Sequence, residues 1–272
     1  MGSNVFVLSQ NLCDVWFAGQ NDGTKTIKTP EEWCIAEKAD LVFNLGLFDL
    51  KTGESCCYVK GPKMISDPSG AKDSKIGGKS NILTLNSQNQ CKGYSNGIVD
   101  GKISFNTNAL LGGSRTRNGI GITTTGEVII AQTDTPYTER AYCEEVNSKV
   151  INRYKKAVKL FVLEDGGQST QEYSDKSKRK FAPERGRKVA TVVCVRFKIK
   201  PIIDHVIHNG LKDPDVEFVQ IFLGGLDPDG SCGPASVKAI TEFQKLMGFQ
   251  KVLQCGIASA KTLRALGLDP AI

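Results

Sequence analysis

The 272-residue sequence predicts an α+β fold: a mainly antiparallel or mixed sheet with a packed helix, followed by a small three-helix region. Two observations support this prediction. Runs of branched and aromatic residues, bounded by Gly, Asn and Asp, recur through the first 200 residues and indicate strands. After residue 214, apolar residues recur at helical spacing instead. The length exceeds that of one typical domain, which agrees with two units.

Strands are predicted near residues 41–48, 103–106, 119–124, 127–132, 158–164 and 189–199. The third and fourth of these read as a hairpin that turns near Thr125 and Gly126. Residues 138–154 are predicted to form a helix, because their apolar side chains fall on one stripe. That stripe consists of Val146, Val150, Ile151 and Tyr154. Residues 61–118, rich in Gly, Ser, Asn and Lys, read as long loops with short strands.

Three short helices are predicted at the C-terminal end. The first covers residues 215–223. The second begins near Pro234 and stops at Gly248, since Pro suits a first helical turn and Gly ends a helix. The third begins near Ser259 and stops at Gly267. We therefore expect a first unit of residues 1–199, a linker of residues 200–214 and a second unit of residues 215–272.

The charge is divided unevenly between these units. Residues 1–200 hold 29 basic and 21 acidic side chains, a net charge of +8, whereas residues 201–272 hold 6 and 8, a net charge of −2. Basic residues are densest in residues 176–188, KSKRKFAPERGRK. Such a run is typical of a solvated loop, and it would also attract a polyanion, either a sugar-phosphate polymer or a nucleic acid. No nucleic-acid-binding fold signature accompanies it, so nucleic acid is the weaker of the two partners.

No apolar run is long enough to span a membrane. The first residues, MGSNVFVLSQNLCDVWFAG, lack a basic leader and an apolar core, so no secretory signal is expected. A protein that acts outside the cell would then be a processed secreted protein or one that a phage delivers.

Both histidines, His205 and His208, fall in the expected linker, so the first unit contains none. This excludes a Ser-His-Asp or Cys-His nucleophile and a multi-histidine metal site within that unit. Proton transfer must then fall to carboxylates, helped by Arg, Lys or Tyr. Two histidines alone are few ligands for a metal site, and we expect them to be ordinary residues of the linker.

The nine cysteines contain no C-x-x-C pair, which makes a structural zinc site improbable. Cys56 and Cys57 are adjacent and could not bond to each other without strain. Cys232 and Cys255 lie in two similar Gly-containing loops of the C-terminal unit. Two interpretations stay open for them: a disulfide bridge, or two small buried thiols.

Residues 162–170, VLEDGGQST, form a short apolar run that ends in an acid, two glycines and two hydroxyls. A buried strand that stops there places the Asp165 carboxylate at the edge of a sheet. Gly166 and Gly167 leave the backbone open to a ligand, and Ser169 and Thr170 offer hydroxyl groups nearby. The simpler interpretation is a tight turn with an Asx-type cap.

Two further segments make the functional interpretation more specific. Residues 41–50 read LVFNLGLFDL, and residues 115–123 read RTRNGIGIT. The order N-x-G-x-F-D, R-x-x-I-G-I-T, helix, D-G-G-x-S resembles that of the phosphodiester glycosidase family over residues 35–198. That family is known for removing N-acetylglucosamine from a sugar-1-phosphodiester to uncover mannose 6-phosphate. Its first motif is usually N-G-G, and Leu45 departs from it.

The resemblance implies an active site made from these motifs. Asp165 would be the base or nucleophile, Arg117 would bind the phosphate oxygens, and Asp49 would be a second carboxylate or, alternatively, a turn cap. The remaining substrate contacts would come from Asn44, Gly46, Arg115, Gly166, Gly167 and Ser169. Glu164 is a weaker candidate carboxylate, and Arg115 is the reserve for Arg117. No cofactor or metal is implied, although Asn44, Asp49 and Asp165 could supply oxygen ligands to a divalent cation.

Residues 229–248, DGSCGPASVKAITEFQKLMG, carry a second resemblance, to the small peptidoglycan-binding domain of wall hydrolases. The alternative is a generic three-helix appendage. The family pattern D-G-x-x-G-P-x-[ST]-x-x-A-[IV]-x-x-F-Q implies wall-binding residues at Asp229, Gly230, Gly233, Phe243 and Gln244.

Together these features predict a hydrolase that cleaves a sugar-1-phosphate linkage in a bacterial surface polymer and is held on peptidoglycan by its C-terminal unit. The enzyme would act outside the cell, as a lysin or depolymerase if it is phage-encoded. Two alternatives remain: a non-catalytic binder of wall glycan with a degenerate glycosidase fold, and an intracellular polyanion-binding protein that uses residues 176–188.

Overall fold

The computed structural model describes residues 3–19, 26–45, 59–61, 64–66, 73–76, 83–86, 94–104, 114–133, 135–164, 172–174, 180–181, 187–198, 202–250 and 254–271. These residues form 17 strands and five helices, an α+β architecture that confirms the predicted fold class. Within these ranges, no helix combines the length and the apolar content needed to cross a membrane.

The strands are β1 (Ser3–Leu8), β2 (Cys13–Gly19), β3 (Leu41–Asn44), β4 (Val59–Gly61), β5 (Met64–Ser66), β6 (Asp73–Ile76), β7 (Leu83–Asn86), β8 (Tyr94–Val99), β9 (Lys102–Ile103), β10 (Asn118–Thr123), β11 (Val128–Thr133), β12 (Val158–Glu164), β13 (Glu172–Ser174), β14 (Lys180–Phe181), β15 (Thr191–Phe197), β16 (Ile202–Ile203) and β17 (Asp269–Pro270). The helices are α1 (Pro30–Glu37), α2 (Glu139–Asn152), α3 (Pro214–Leu223), α4 (Pro234–Leu246) and α5 (Ala260–Leu266). The predicted hairpin corresponds to β10 and β11, and the predicted helix before β12 is α2.

Two antiparallel sheets contain eleven of the seventeen described strands. The first sheet has the strand order β1-β11-β10-β12-β8-β9, and the second sheet has the order β14-β13-β3-β15-β2. A tight turn joins β1, at the edge of the first sheet, to β2, at the edge of the second. A four-stranded sheet, β5-β4-β7-β6, and a parallel pair of β16 and β17 complete the strand pairing.

The two main sheets pack face to face. Phe6 of β1 and Phe43 of β3 contact each other across the interface, with ring centroids 5.1 Å apart. Ile120, Val162 and Val193 belong to the same buried cluster. Because side chains alternate along a strand, the neighbouring apolar residues must point away from this interface and need a second cover.

Helices provide that second cover. α2 lies over the outer face of the first sheet, where Val146 and Val150 share a buried cluster with Ile129 and Phe161. α1 lies over the outer face of the second sheet, with Trp33 among the buried residues there. The Thr29 side chain begins α1 in a capping box, and Thr138 Oγ1 begins α2 by accepting a hydrogen bond from Ala141 N.

The three C-terminal helices pack on the rest of the protein. Val219 of α3 and Phe243 of α4 belong to the same buried cluster as Phe6 of the first sheet. The Phe222 ring of α3 stacks on the Phe197 ring of β15, with centroids 4.6 Å apart. The apolar interior therefore continues from the sheets into this helical region.

The described part of the predicted linker is folded. Ile202 and Ile203 of β16 pair with β17, near the end of the chain. Ile207 forms a β-bridge with Ala258, and both Ile203 and Ile207 are fully buried. The domain boundaries stay a prediction, but the segment after residue 201 is tied along its length to the C-terminal helices.

An ionic cluster joins α2 to the loop between α3 and α4. Asp227 Oδ2 accepts hydrogen bonds from Lys149 Nζ at 2.7 Å and from Arg153 Nη2 at 2.9 Å, and Asp227 Oδ1 accepts one from Arg153 Nη1 at 3.0 Å. Burial opposes ionisation of Asp227, yet these hydrogen bonds outweigh it and hold the pKa of the carboxyl below its usual range. The cluster therefore stabilises the docked position of the helical region.

Replacing Asp227 with Asn should lower the free energy of unfolding by about 2 kcal/mol at pH 7, since it weakens the charged hydrogen bonds from Lys149 and Arg153. Urea unfolding of the two proteins measures the difference. The exposed pair of Lys238 and Glu242, 3.9 Å apart, supplies the control: Glu242→Gln should change stability by less than about 0.5 kcal/mol.

The same pair of proteins should respond differently to pH. Because the pKa of Asp227 is lower in the folded than in the unfolded state, its stabilisation is present above the ordinary Asp value of about 3.9 and is lost as pH falls through the folded value. The difference between wild type and Asp227→Asn should therefore shrink in acid. A difference that stays constant from pH 7 to pH 3 would contradict this role.

Candidate active site

The described strands that lead into or out of the three motifs of the glycosidase resemblance meet at one end of the sheet sandwich. β3 and β12 end there, and β10 begins there: Gly119 lies opposite Leu163 in the first sheet, and Asn44 lies opposite Val192 in the second. We call this end the motif edge and define it by Asn44, Asn118 and Glu164.

A buried hydrogen bond links the two sheets at the motif edge. Asn118 Nδ2 donates to the backbone oxygen of Asn44 at 2.7 Å. Asn118 is 7% exposed and Asn44 is 6% exposed. Because Asn118 begins β10 and Asn44 ends β3, this bond fixes the end of one motif strand against the start of another.

The D-G-G-x-S segment leaves and returns beside this hydrogen bond. Glu164 ends β12, and residues 165–171 lead to Glu172, which lies opposite Phe43 in the second sheet. Asp165, Gly166, Gly167 and Ser169 lie outside the described residues, as do Gly46 and Asp49 after Leu45. The described strand ends on both sides of these segments nevertheless belong to the motif edge.

Arg117 lies at the motif edge but is enclosed. Its side chain has no exposed surface, and its Nη1 lies 3.6 Å from Glu139 Oε1. Its Nε donates to the backbone oxygen of Tyr137 at 3.3 Å, and its backbone N donates to Thr133 Oγ1 at 3.0 Å. In this structure the guanidinium therefore holds the start of α2 against β10 and does not face solvent.

Arg115, the reserve candidate, is more accessible. It is half-buried, and its backbone N and O pair with the O and N of Tyr137 at 3.0 Å and 2.7 Å. The start of α2 lies close by, with Thr138 as its N-cap. A helix N-terminus and two arginines give this edge a positive field, which Glu139 offsets in part. An anionic group is therefore favoured near Arg115.

The glycines of the R-x-x-I-G-I-T motif serve packing. A Cβ on Gly119 would lie 2.5 Å from the Phe161 ring, and one on Gly121 would lie 2.3 Å from the Leu160 oxygen. Neither position can take a larger residue without displacing β12, the strand that leads to Asp165. This part of the motif shapes the scaffold of the site and does not supply ligand contacts.

The predicted wall-binding residues divide into two groups. Asp229 is exposed and Gly230 and Gly233 are half-buried, whereas Phe243 is 0% exposed and Gln244 is 1% exposed. The last two side chains are therefore enclosed by the protein itself. A wall-binding surface in this region would have to consist of other side chains.

Gln244 belongs to an internal repeat. Its Nε2 donates to Ile257 O and Thr262 Oγ1, and its Oε1 accepts from Gly256 N at 3.2 Å. Gln220 repeats this pattern one helix earlier, with contacts to Ser231 O, Ser236 Oγ and Gly230 N. Each glutamine thus holds the Gly-containing loop that follows its helix, and the F-Q end of the family pattern has a structural role here.

Of the two interpretations left open for Cys232 and Cys255, the structure rules out the bridge, since no disulfide joins them. Cys232 is buried, but Cys255 is exposed, so the alternative of two buried thiols holds only for the first. In the repeat, Cys232 corresponds to Ala258, and Cys255, which precedes Gly256, corresponds to Asp229. The two cysteines therefore do not occupy matching positions.

A polar cavity lies at the end of the first sheet that is opposite the motif edge. Its volume is about 380 Å³, and it is lined by Ser9, Gln10, Asn11, Ile122, Thr125, Gly126 and Glu127. Burial opposes ionisation of Glu127, but hydrogen bonds from Lys156, Thr123 and Thr125 lower its pKa to about 2. Sequence reasoning missed this cavity because two turns more than 100 residues apart form it.

No family model and no curated protein sequence matches this chain. Solved structures do. The catalytic domain of zebrafish N-acetylglucosamine-1-phosphodiester alpha-N-acetylglucosaminidase, auto-inhibited by its pro-peptide, is similar over 71% of this chain and 82% of its own, with 15% identity and a TM-score of 0.53. A hypothetical protein from Synechocystis matches 71% of this chain, at 8% identity and a TM-score of 0.49; this chain spans only 58% of it.

At 15% identity the likeness to the zebrafish domain shows the fold alone. It agrees with the predicted resemblance of the first unit to phosphodiester glycosidases. Nothing in these comparisons concerns a peptidoglycan-binding domain, so that resemblance stays a prediction, and so do the roles of the individual site residues.

Replacing Asn118 with Ala should lower the free energy of unfolding by about 1–2 kcal/mol, because it removes a buried hydrogen bond between the two sheets. Denaturant unfolding measures the loss. Asn152→Ala is the matched control: Asn152 is exposed and its Nδ2 donates only to Ser148 Oγ within α2, so stability should change by less than about 0.5 kcal/mol. Equal stability of wild type and Asn118→Ala would show that this bond does not hold the sheets together.

Proposed function

We propose that this protein is a hydrolase that cleaves the glycosidic bond of a sugar-1-phosphodiester. The observation that carries the proposal is the Asn118–Asn44 hydrogen bond, which joins the strand ends of the first two motifs beside the point where β12 leads into Asp165. The similarity in fold to the zebrafish phosphodiester glycosidase domain supports the same reaction class.

The chemistry suits the side chains that the sequence offers. A phosphodiester leaves as a stable anion, so it needs less protonation than a sugar alcohol, and positive charge near it matters more. Asp165 would be the base or nucleophile, with Asp49 as the second carboxylate. Arg115 is the better placed of the two arginines for direct contact with phosphate, while Arg117 would add to the positive field from its buried position.

The remaining substrate contacts follow the motifs. Asn44 would hydrogen-bond a sugar hydroxyl or a phosphate oxygen, and Ser169 would do likewise. Gly46, Gly166 and Gly167 would let the ligand approach the backbone closely.

We further propose that the substrate is a bacterial cell-surface polymer and that the C-terminal region holds the enzyme on peptidoglycan. The D-G-x-x-G-P pattern at residues 229–234 and the net charge of +8 in the first 200 residues support this, since wall sugar-phosphate polymers are polyanions. The protein would then act outside the cell, as a secreted enzyme or a phage lysin or depolymerase.

Asp165→Asn should abolish release of reducing sugar from uridine diphosphate N-acetylglucosamine, with a loss of at least about 100-fold, because the amide is neither a base nor a nucleophile. Purified Gram-positive walls provide the second substrate. The control is Asp100→Asn at the exposed β8–β9 turn, where φ is 45° and Asn is tolerated; it should keep full activity.

The other outcomes distinguish the alternatives. Sedimentation with walls but no release by wild type would favour a glycan-binding protein that has lost the chemistry. Tight, salt-sensitive binding to nucleic acid without wall binding would favour the polyanion-binding alternative. The full chain must be used, because deletion of residues 201–272 would uncover the apolar interior that α3 and α4 share with the sheets.

A further inference from the structure

One imidazole and three carboxylates meet where residues 204–205 contact the start of α3. His205 Nδ1 lies 2.8 Å from Asp204 Oδ1 and 3.8 Å from Asp215 Oδ2. The ligand atoms of these three residues all lie within 4.8 Å of one another. Asp213 is the fourth member, with Oδ1 3.8 Å from His205 Nε2. Neither the motif edge nor the proposed reaction uses this cluster.

The distances suit a metal ion. Zinc binds imidazole nitrogen and carboxylate oxygen at about 2.0–2.2 Å, so two ligand atoms of a tetrahedral site lie roughly 3.4 Å apart. The separations of 2.8 Å and 3.8 Å lie on either side of that value. The side chains are exposed or half-exposed, so they can adjust to bring ligand atoms that already lie within 4.8 Å of one another to a single ion.

The fourth residue supplies the outer support that such sites need. A metal-bound histidine usually donates its second ring N–H to a carboxylate, which fixes the orientation of the ring. Here the second nitrogen, Nε2, is shielded from solvent, has no hydrogen-bond partner among the described residues and faces Asp213 Oδ1. Asp213 is itself held in place as the N-cap of α3, where its Oδ1 accepts from Asp215 N at 2.9 Å.

Charge favours a cation at this place. Three carboxylates surround one imidazole in a region that holds 6 basic and 8 acidic side chains. The positive end of α3 opposes a cation, but its partial charge is smaller than that of the carboxylates.

We propose that Asp204, His205 and Asp215 bind a divalent transition-metal cation, with Zn²⁺ the best fit, and that Asp213 orients the imidazole. The imidazole ligand favours zinc over calcium and magnesium, which prefer all-oxygen sites. One nitrogen and two oxygens leave a fourth tetrahedral position for water. The ion fastens the segment after β16 to α3 and so has a structural role that is independent of the proposed hydrolase activity.

Titration calorimetry of Zn²⁺ into the full, metal-free chain tests this site. Wild type should bind one zinc that Asp204→Asn and His205→Gln weaken at least tenfold. The chain offers a control in His208, which is exposed and whose Nδ1 contacts Asn209 O; His208→Gln should bind zinc as wild type does. Bound zinc should also raise the melting temperature of wild type but not of Asp204→Asn.

Cobalt distinguishes this site from the cysteines. Co²⁺ should give weak d–d absorption without the intense thiolate charge-transfer band, and His205→Gln should remove it. Thiolate absorption alone, or unchanged zinc affinity in Asp204→Asn, would overturn the proposal. If wild type bound neither zinc nor cobalt, the proposal would also be overturned, and the cluster would be an ion pair between protonated His205 and Asp204. Asp204 is 79% exposed, so its replacement leaves the fold intact even if His205→Gln does not fold.

Discussion

Strands β1, β11 and β12 of the first sheet and β2, β3 and β15 of the second carry apolar side chains on both faces, and this constraint sets the layout of the two sheets. Each sheet needs two covers: the other sheet on its inner face and a helix on its outer face. Once Phe6 and Phe43 pack across the interface, α1 and α2 must take the outer faces. The strand ends are not covered in this way, and the described ends that flank the three motifs lie there.

Specific contacts hold the strand ends of the motif edge in fixed positions. The Asn118–Asn44 bond ties the sheets together at that end, and Gly119 and Gly121 let β12 approach β10 closely. The Arg117 side chain also holds this end of the molecule together, because it joins the start of β10 to the first turn of α2. Arg117, a predicted phosphate ligand, thus helps to hold the strand ends in place together with Gly119 and Gly121, a preorganisation that the proposed hydrolytic site would require.

The sequence predicted the elements with local signals and missed those that depend on distant contacts. Strand β12, the β10–β11 hairpin and α2 have strong periodicity or caps, and their bounds agree within about two residues. The pairing of β1 with β11 depends on long-range packing. α1 did carry a local signal that went unused, the Thr29 capping box with Pro30 in its first turn. The burial of Arg117 could not be predicted, because it also depends on a distant contact. A guanidinium can bind a phosphate or a buried carboxylate, and only the position of Glu139 in the fold decides between them.

α2 connects the two regions that the proposed function needs. Its first turn holds Arg117 through Glu139 at the motif edge, and its last turns hold the helical region through Lys149 and Arg153 on Asp227. At 14 residues it is about 21 Å long. A flexible tether would let the active site search a wide area of wall. If the proposed function holds, a docked helical region fixed to the far end of α2 would instead set one distance and one direction between anchor and site, so the substrate bonds within reach would be those at that single spacing.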